Sequence, residues 1–112
     1  MFNSYRVPEI SVLELKTLIE DKTDFLLLDV REPLEYRIAH LQGKLVPLGE
    51  LPQRLEELDA YKDKPVIVHC RSGRRSAQAV AFLQQHGFED VKNLKGGILA
   101  WSREVDPTVP MY

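Results

Sequence analysis

Cys70 is the one cysteine of the chain. It follows the β-branched run Val66-Ile67-Val68 and His69, and precedes Arg71-Ser72-Gly73-Arg74-Arg75-Ser76. A lone cysteine can be a small buried hydrophobe, but these neighbours suit a nucleophile. Gly73 allows a positive φ or a close backbone approach. Loop N–H groups can then converge over a helix N-terminus as an anion cradle. Arg71, Arg74 and Arg75 put three positive charges within five residues, and cations and helix N-termini lower a thiol pKa. The thiolate is the reactive form. A single cysteine excludes an internal disulfide, a CxxC redox pair and a cysteine zinc cluster. Nucleophilic double displacement at one thiol needs no metal and no organic cofactor, and none is expected; a single free thiol suits a reducing, cytoplasmic compartment.

Loop length separates two chemistries. A phosphate-clamping loop places an arginine six residues after the cysteine. Here that position is Ser76, and the arginine sits one residue earlier, at Arg75. The tighter loop suits one added sulfur atom on Cys70 better than a tetrahedral phosphoryl group. A cysteine phosphatase or arsenate reductase is thus the weaker reading. A non-catalytic docking module is argued against by the retention of Cys70 with its whole cationic loop.

Other polar residues read as supports. Asp29 closes an apolar run and is expected in a supporting structural role, as a turn-capping carboxylate; the alternative is that it orients the site by accepting loop N–H bonds or pairing a loop arginine. Arg31 and Glu32 are expected to brace the connection after that run. His69 precedes the nucleophile and points away from it, because side chains alternate along a strand. His40 reads as a structural hydrogen-bonding residue and Trp101 as a core plug. Arg71 and Arg74 are candidates for substrate attraction. Arg75 is a candidate for a pair with Asp29 or Glu35.

These residues must be positioned by elements the pattern also predicts. Ser11-Val12-Leu13-Glu14 fits a capping box and opens a helix to about Asp21. Phe25–Val30 reads as a buried strand, and Pro33 opens a short helix through Ala39. Leu45-Val46 is a short strand ending at Pro47. Leu51–Ala60 is expected to be helical, Val66–Val68 a doubly covered strand, and Ser76–His86 a helix stopped by Gly87. Val91–Leu94 is a further strand, and Gly96-Gly97 precede a short helix with Leu99 and Trp101. The tail 104–112 is expected to be extended. Alternating strands and helices imply a mainly parallel sheet covered on both faces. Ligands gather at the carboxyl ends of such strands, where Asp29 and Cys70 both fall.

The 112 residues fit one domain with a core over about 8–103. Lys plus Arg is 15 and Asp plus Glu is 17, a net charge of −2 that argues against nucleic acid or a membrane surface as partner. The interior has no run long enough to span a bilayer. The opening MFNSYRVPEI shows no secretory apolar region.

The residues Leu28-Asp29-Val30-Arg31-Glu32, Glu35-Tyr36, His40-Leu41, His69–Ser76, and Leu94-Lys95-Gly96-Gly97 with Trp101 together resemble the rhodanese domain. The resemblance implies an α/β fold with a five-stranded parallel sheet flanked by helices. It also implies sulfane-sulfur transfer through a Cys70 persulfide, held by the loop Arg71, Ser72, Gly73, Arg74, Arg75 and Ser76. Thiosulfate or the persulfide of a cysteine desulfurase would be the donor. Tyr5–Ile10, Gly43–Pro52, Val105-Asp106-Pro107 and Pro110-Met111-Tyr112 resemble the rhodanese domain that ends adenylyltransferase–sulfurtransferases. That likeness implies a ubiquitin-like sulfur-carrier protein or an adenylylating domain as partner. Two departures stand out: Ala39 where glycine is usual, and Lys44-Leu45-Val46 where Ala and Asn are usual.

Overall fold

The computed structural model describes residues 6–112. Residues 1–5, Tyr5 among them and half of the opening stretch read above for a secretory segment, lie outside the described residues. In chain order the elements are β1 (Glu9–Ile10), α1 (Val12–Glu20), β2 (Leu26–Asp29), α2 (Pro33–Ile38), β3 (Lys44–Leu45), β4 (Val66–His69), α3 (Arg74–Gln85), β5 (Val91–Leu94) and α4 (Gly97–Glu104). Two 3-10 segments, Leu48–Glu50 and Leu55–Tyr61, lie between β3 and β4.

The strands form one parallel sheet in the order β1-β5-β4-β2-β3. Alternation along the strands divides the core in two. Leu26, Leu28, Val66, Val68 and Val91 pack with Ala79, Val80 and Leu83 of α3 and with Leu51 and Leu58. Ile10, Ile67 and Leu94 face the other way, onto Val12 and Leu15 of α1 and Ala100 of α4. The sheet is thus covered on both faces, and the Cα radius of gyration is 13.0 Å. Among the described residues, no helix is long and apolar enough to cross a membrane.

Local chemistry explains the boundaries. The Ser11 hydroxyl accepts from the Glu14 N–H at 3.1 Å, and Glu14 accepts from the Ser11 N–H at 3.0 Å, completing the expected capping box. Gly87 follows α3 with φ +90°, the left-handed conformation that a helix stop requires.

Three expectations need correction, and one strand was not placed by the residue pattern. The segment Leu51–Ala60 is not an α-helix but turns followed by 3-10 helix over Leu55–Tyr61. Leu55, Leu58 and Tyr61 recur every three residues, which is the 3-10 period, and all three pack into the core. α3 begins at Arg74 rather than Ser76, because Gly73 at φ +110° supplies its N-cap. The tail is not simply extended: Val109 N–H bonds the Asp106 carbonyl at 3.1 Å, and the Ser102 hydroxyl bonds the Val109 carbonyl at 2.6 Å. β1 was legible only through the family resemblance, since two residues carry no periodicity. It is held by the Asn93 N–H on the Pro8 carbonyl and the Lys95 N–H on the Ile10 carbonyl, both at 2.9 Å.

Candidate active site

Because β4 lies between β2 and β5, three strand ends meet at one edge. Asp29 pairs in register with His69, and Val68 with Asn93. Cys70, one residue beyond β4, therefore sits at the middle of the carboxyl edge, over the N-terminus of α3.

Cys70 lies on the floor of the loop rather than at its mouth, and only 1% of its surface is exposed. Its sulfur faces the Gly73 N–H at 3.1 Å, the Ser76 N–H at 3.4 Å and the Ser76 hydroxyl at 3.3 Å. Burial pushes the thiol up, but hydrogen bonds from the Ser76 hydroxyl and from the Ser76, Gly73 and Ser72 amides outweigh it and hold the thiol below its usual range. The cause is donors aimed at sulfur, the loop and helix N-terminal N–H groups the sequence had suggested, joined by the Ser76 hydroxyl, rather than the arginine charges suggested with them.

The loop is held from behind by α4. The Ile98 and Leu99 N–H groups donate to the Cys70 and Arg71 carbonyls at 3.0 and 3.2 Å. Gly97, at φ +61°, lies so close that a Cβ there would stand 2.7 Å from the Cys70 carbonyl oxygen and closer still to that of Arg71. The Gly-Gly pair thus lets a helix N-terminus dock on the back of the loop.

The three arginines have different surroundings. Arg71 and Arg74 are exposed. Arg75 makes two parallel bonds to Glu35 of α2, at 2.7 and 2.9 Å. The Arg75 guanidinium holds the Glu35 carboxyl down to about 2, against the opposing effect of partial burial and with help from the Glu32 N–H. Of the two acids considered for Arg75, Glu35 is the partner.

Asp29 caps its own turn, accepting the Arg31 N–H on Oδ1 at 3.0 Å, and its side-chain partner is Arg31 rather than a loop arginine. Its carboxylate binds Arg31, whose Nη2 and Nε lie 2.8 and 3.0 Å from Oδ2 and Oδ1, and both side chains are fully buried. Arg31 Nη2 also donates to the Ala39 carbonyl at 2.6 Å. The pair ties the end of β2 to the end of α2. Ala39 itself has φ −156°, extended backbone that any residue adopts, so the missing glycine costs nothing. His69 is fully buried, with Nε2 3.6 Å from Asp29 Oδ2. Burial pushes its pKa down, with the Asp29 carboxylate opposing, so the ring is neutral near pH 7. His40 accepts the Gln42 N–H at 3.1 Å and stacks on Tyr36. Trp101 packs half-buried against the α1–α4 core.

Sequence reasoning missed Asn93. It bonds the Gly73 carbonyl at 3.0 Å and the Ser76 hydroxyl at 2.5 Å from the buried face of β5. The signal was present: in Val91-Lys92-Asn93-Leu94, Asn93 shares a face with Val91, where an apolar residue is expected.

The Rhodanese-like domain family model matches residues 11–104. The chain is 41% identical to a sulfurtransferase of Allochromatium vinosum, with 92% of this chain and 95% of that protein covered. It is 37% identical to the adenylyltransferase and sulfurtransferase MOCS3 of Arabidopsis thaliana, covering 92% of this chain and 25% of that protein. Among solved structures, a rhodanese-related protein of Thermoplasma volcanium superposes with a TM-score of 0.79 at 33% identity, over 94% of this chain and 99% of that one.

Proposed function

The chain belongs to the rhodanese-like domain family, and on that premise we propose that it transfers sulfane sulfur through a persulfide on Cys70. The Cys70 thiolate attacks the outer sulfur of thiosulfate. The S–S bond of the donor breaks, sulfite leaves with its electron pair, and Cys70 carries S–S⁻. An acceptor nucleophile then takes the outer sulfur, and the Cys70 thiolate returns. With cyanide as acceptor the product is thiocyanate. No electrons enter or leave the protein in either step.

The observation that carries this reading is the set of donors around one sulfur atom: Gly73 N–H, Ser76 N–H and Ser76 O–H, all within 3.4 Å of Sγ. The Gly73 and Ser76 N–H groups are fixed by the backbone and stabilise negative charge without reorganising during the reaction, and the Ser76 hydroxyl can turn to join them. Exposed Arg71 and Arg74 attract an anionic donor such as thiosulfate, while Arg75 keeps Glu35. Arg31 and Asp29 support the site from beneath. The similarity to a protein that also carries an adenylyltransferase activity supports a protein partner: a ubiquitin-like sulfur carrier as acceptor and a desulfurase persulfide as donor.

The test is intact mass after incubation with thiosulfate. The parent chain gains the mass of one sulfur atom, and Cys70→Ser gains none and turns over no thiocyanate. A sulfur-loaded Cys70→Ser variant would overturn the assignment.

A further inference from the structure

Asn93 is 3% exposed and lies beside Val68 of β4. Its Nδ2–H donates to the Gly73 carbonyl at 3.0 Å. A carbonyl only accepts, so this contact fixes which end of the amide faces Gly73. Oδ1 then faces Ser76 Oγ at 2.5 Å. An amide oxygen also only accepts, so the Ser76 hydroxyl is the donor. Ser76 Oγ lies 3.3 Å from Cys70 Sγ as well. A hydroxyl has one proton. With that proton on Asn93, Ser76 offers sulfur only lone pairs, which suit a thiol S–H and oppose a thiolate.

We propose that Asn93 is a positioning residue that competes with the Cys70 sulfur for the single Ser76 hydroxyl proton. The consequence for catalysis rests on the sulfur-transfer reading. With Cys70 neutral, S–H donates to Ser76 Oγ and O–H donates to Asn93 Oδ1. When the thiol loses its proton to solvent, the hydroxyl turns about Cβ–Oγ and donates to the thiolate. Asn93 Oδ1 then loses its donor in a buried position, which carries a cost. No proton passes between Ser76 and Asn93; one O–H bond rotates. Sulfur loading moves the negative charge from Sγ to the outer sulfur, and the hydroxyl returns to Asn93. The residue therefore favours the loaded form over the bare thiolate.

The charged groups around this cluster are Arg75 with Glu35, Asp29 with Arg31, exposed Arg71 and Arg74, and exposed Glu9, which is in register with Asn93 on β1. His69 is buried and neutral near pH 7. Lys92 pairs with Asp90, and its side chain projects from the opposite face of β5.

A double-mutant cycle of Ser76→Ala and Asn93→Leu tests this, read as the pH midpoint of Cys70 alkylation by iodoacetamide in the full chain. Ser76→Ala removes a donor to the thiolate and raises the midpoint. In the parent that rise is blunted, because the hydroxyl gives up Asn93 to serve sulfur. In the Asn93→Leu background nothing is given up, and the rise is larger by about half a pH unit or more. Release of Gly73 is common to both Asn93→Leu arms and cancels. An equal or smaller rise overturns the proposal. Should circular dichroism show Asn93→Leu unfolded, Asn93→Asp replaces it: the stronger acceptor makes the Ser76→Ala rise smaller than in the parent, and an equal or larger rise overturns the proposal. Alkylation does not require sulfur transfer. Absence of thiosulfate loading in the parent therefore sinks the transfer reading, while the cycle judges Asn93 separately.

Discussion

At the residue scale, Cys70 combines two opposed effects. Its burial disfavours the thiolate, and four donors on one side favour it more strongly. Because the folded thiol lies below the free-cysteine value, the thiolate persists at lower pH than in the unfolded chain. Alkylation rate should therefore rise with pH through a midpoint below about 8.5, the value for free cysteine. A stopped series of iodoacetamide reactions across pH measures it, and a midpoint at or above that value would show that burial prevails. Asp29 and Arg31 illustrate the same accounting in a structural role. Each charge is fully buried, and removing either partner alone leaves an unpaired buried charge, which is strongly destabilising.

At the element scale, the site is a loop clamped from two directions: α3 beneath the sulfur and α4 behind the carbonyls. Gly97→Ala should act through this second clamp. Its Cβ would meet the Cys70 and Arg71 carbonyls, at a φ of +61° that L side chains rarely adopt. We expect a loss of roughly 1–3 kcal/mol in urea unfolding together with slower thiosulfate loading. Unchanged stability and loading would mean that the loop does not rely on this contact. Loop length should decide the substrate. The six-residue segment from Cys70 to Arg75 brings the Gly73 N–H, and Ser76 just beyond it, onto one sulfur atom, and a phosphoryl group needs a wider ring of N–H donors. Inserting one small residue between Gly73 and Arg75 should weaken sulfur transfer and permit weak aryl phosphate hydrolysis. Assaying both proteins on both substrates checks this; efficient phosphatase activity in the parent would contradict the size argument.

At the scale of the whole molecule, the same groups shape acid stability. His69 has a folded pKa below its unfolded value of about 6.5. The unfolded state therefore binds its proton first, and stability falls as pH drops through about 6.5 and below. Glu35 is held at about 2 in the fold, against about 4.3 when unfolded. Its contribution is fully present above the unfolded value and is lost as pH falls toward about 2. Both terms have the same sign, so acid should weaken the fold in two stages. Melting temperature followed from pH 7 to 2 should fall more gently above pH 5 in His69→Asn, and more gently below it in Glu35→Gln. Parallel curves for parent and variants would exclude these groups as the source.

Much of this was legible in the residues because the signals are local. The Ser11 capping box, the β-branched run before Cys70, and Gly73 and Gly87 each act within a few residues of chain. They set α1, β4 and the C-terminal stop of α3, while the start of α3 at Arg74 lies two residues before the expected one. Loop length, and hence the six-residue span from Cys70 to Arg75, is likewise a property of sequence alone. What surrounds the sulfur is different, because it depends on which strands are neighbours. β5 comes after β4 in the chain, and only their parallel pairing brings Asn93 to Gly73 and Ser76. Glu35 reaches Arg75 across 40 residues for the same reason. Asp29 had several candidate partners in sequence, and the tight turn after β2 placed Arg31 within its reach first. Hydrogen bonds act over about 3 Å, and distances that short between remote residues are set by the packed sheet, not by spacing along the chain.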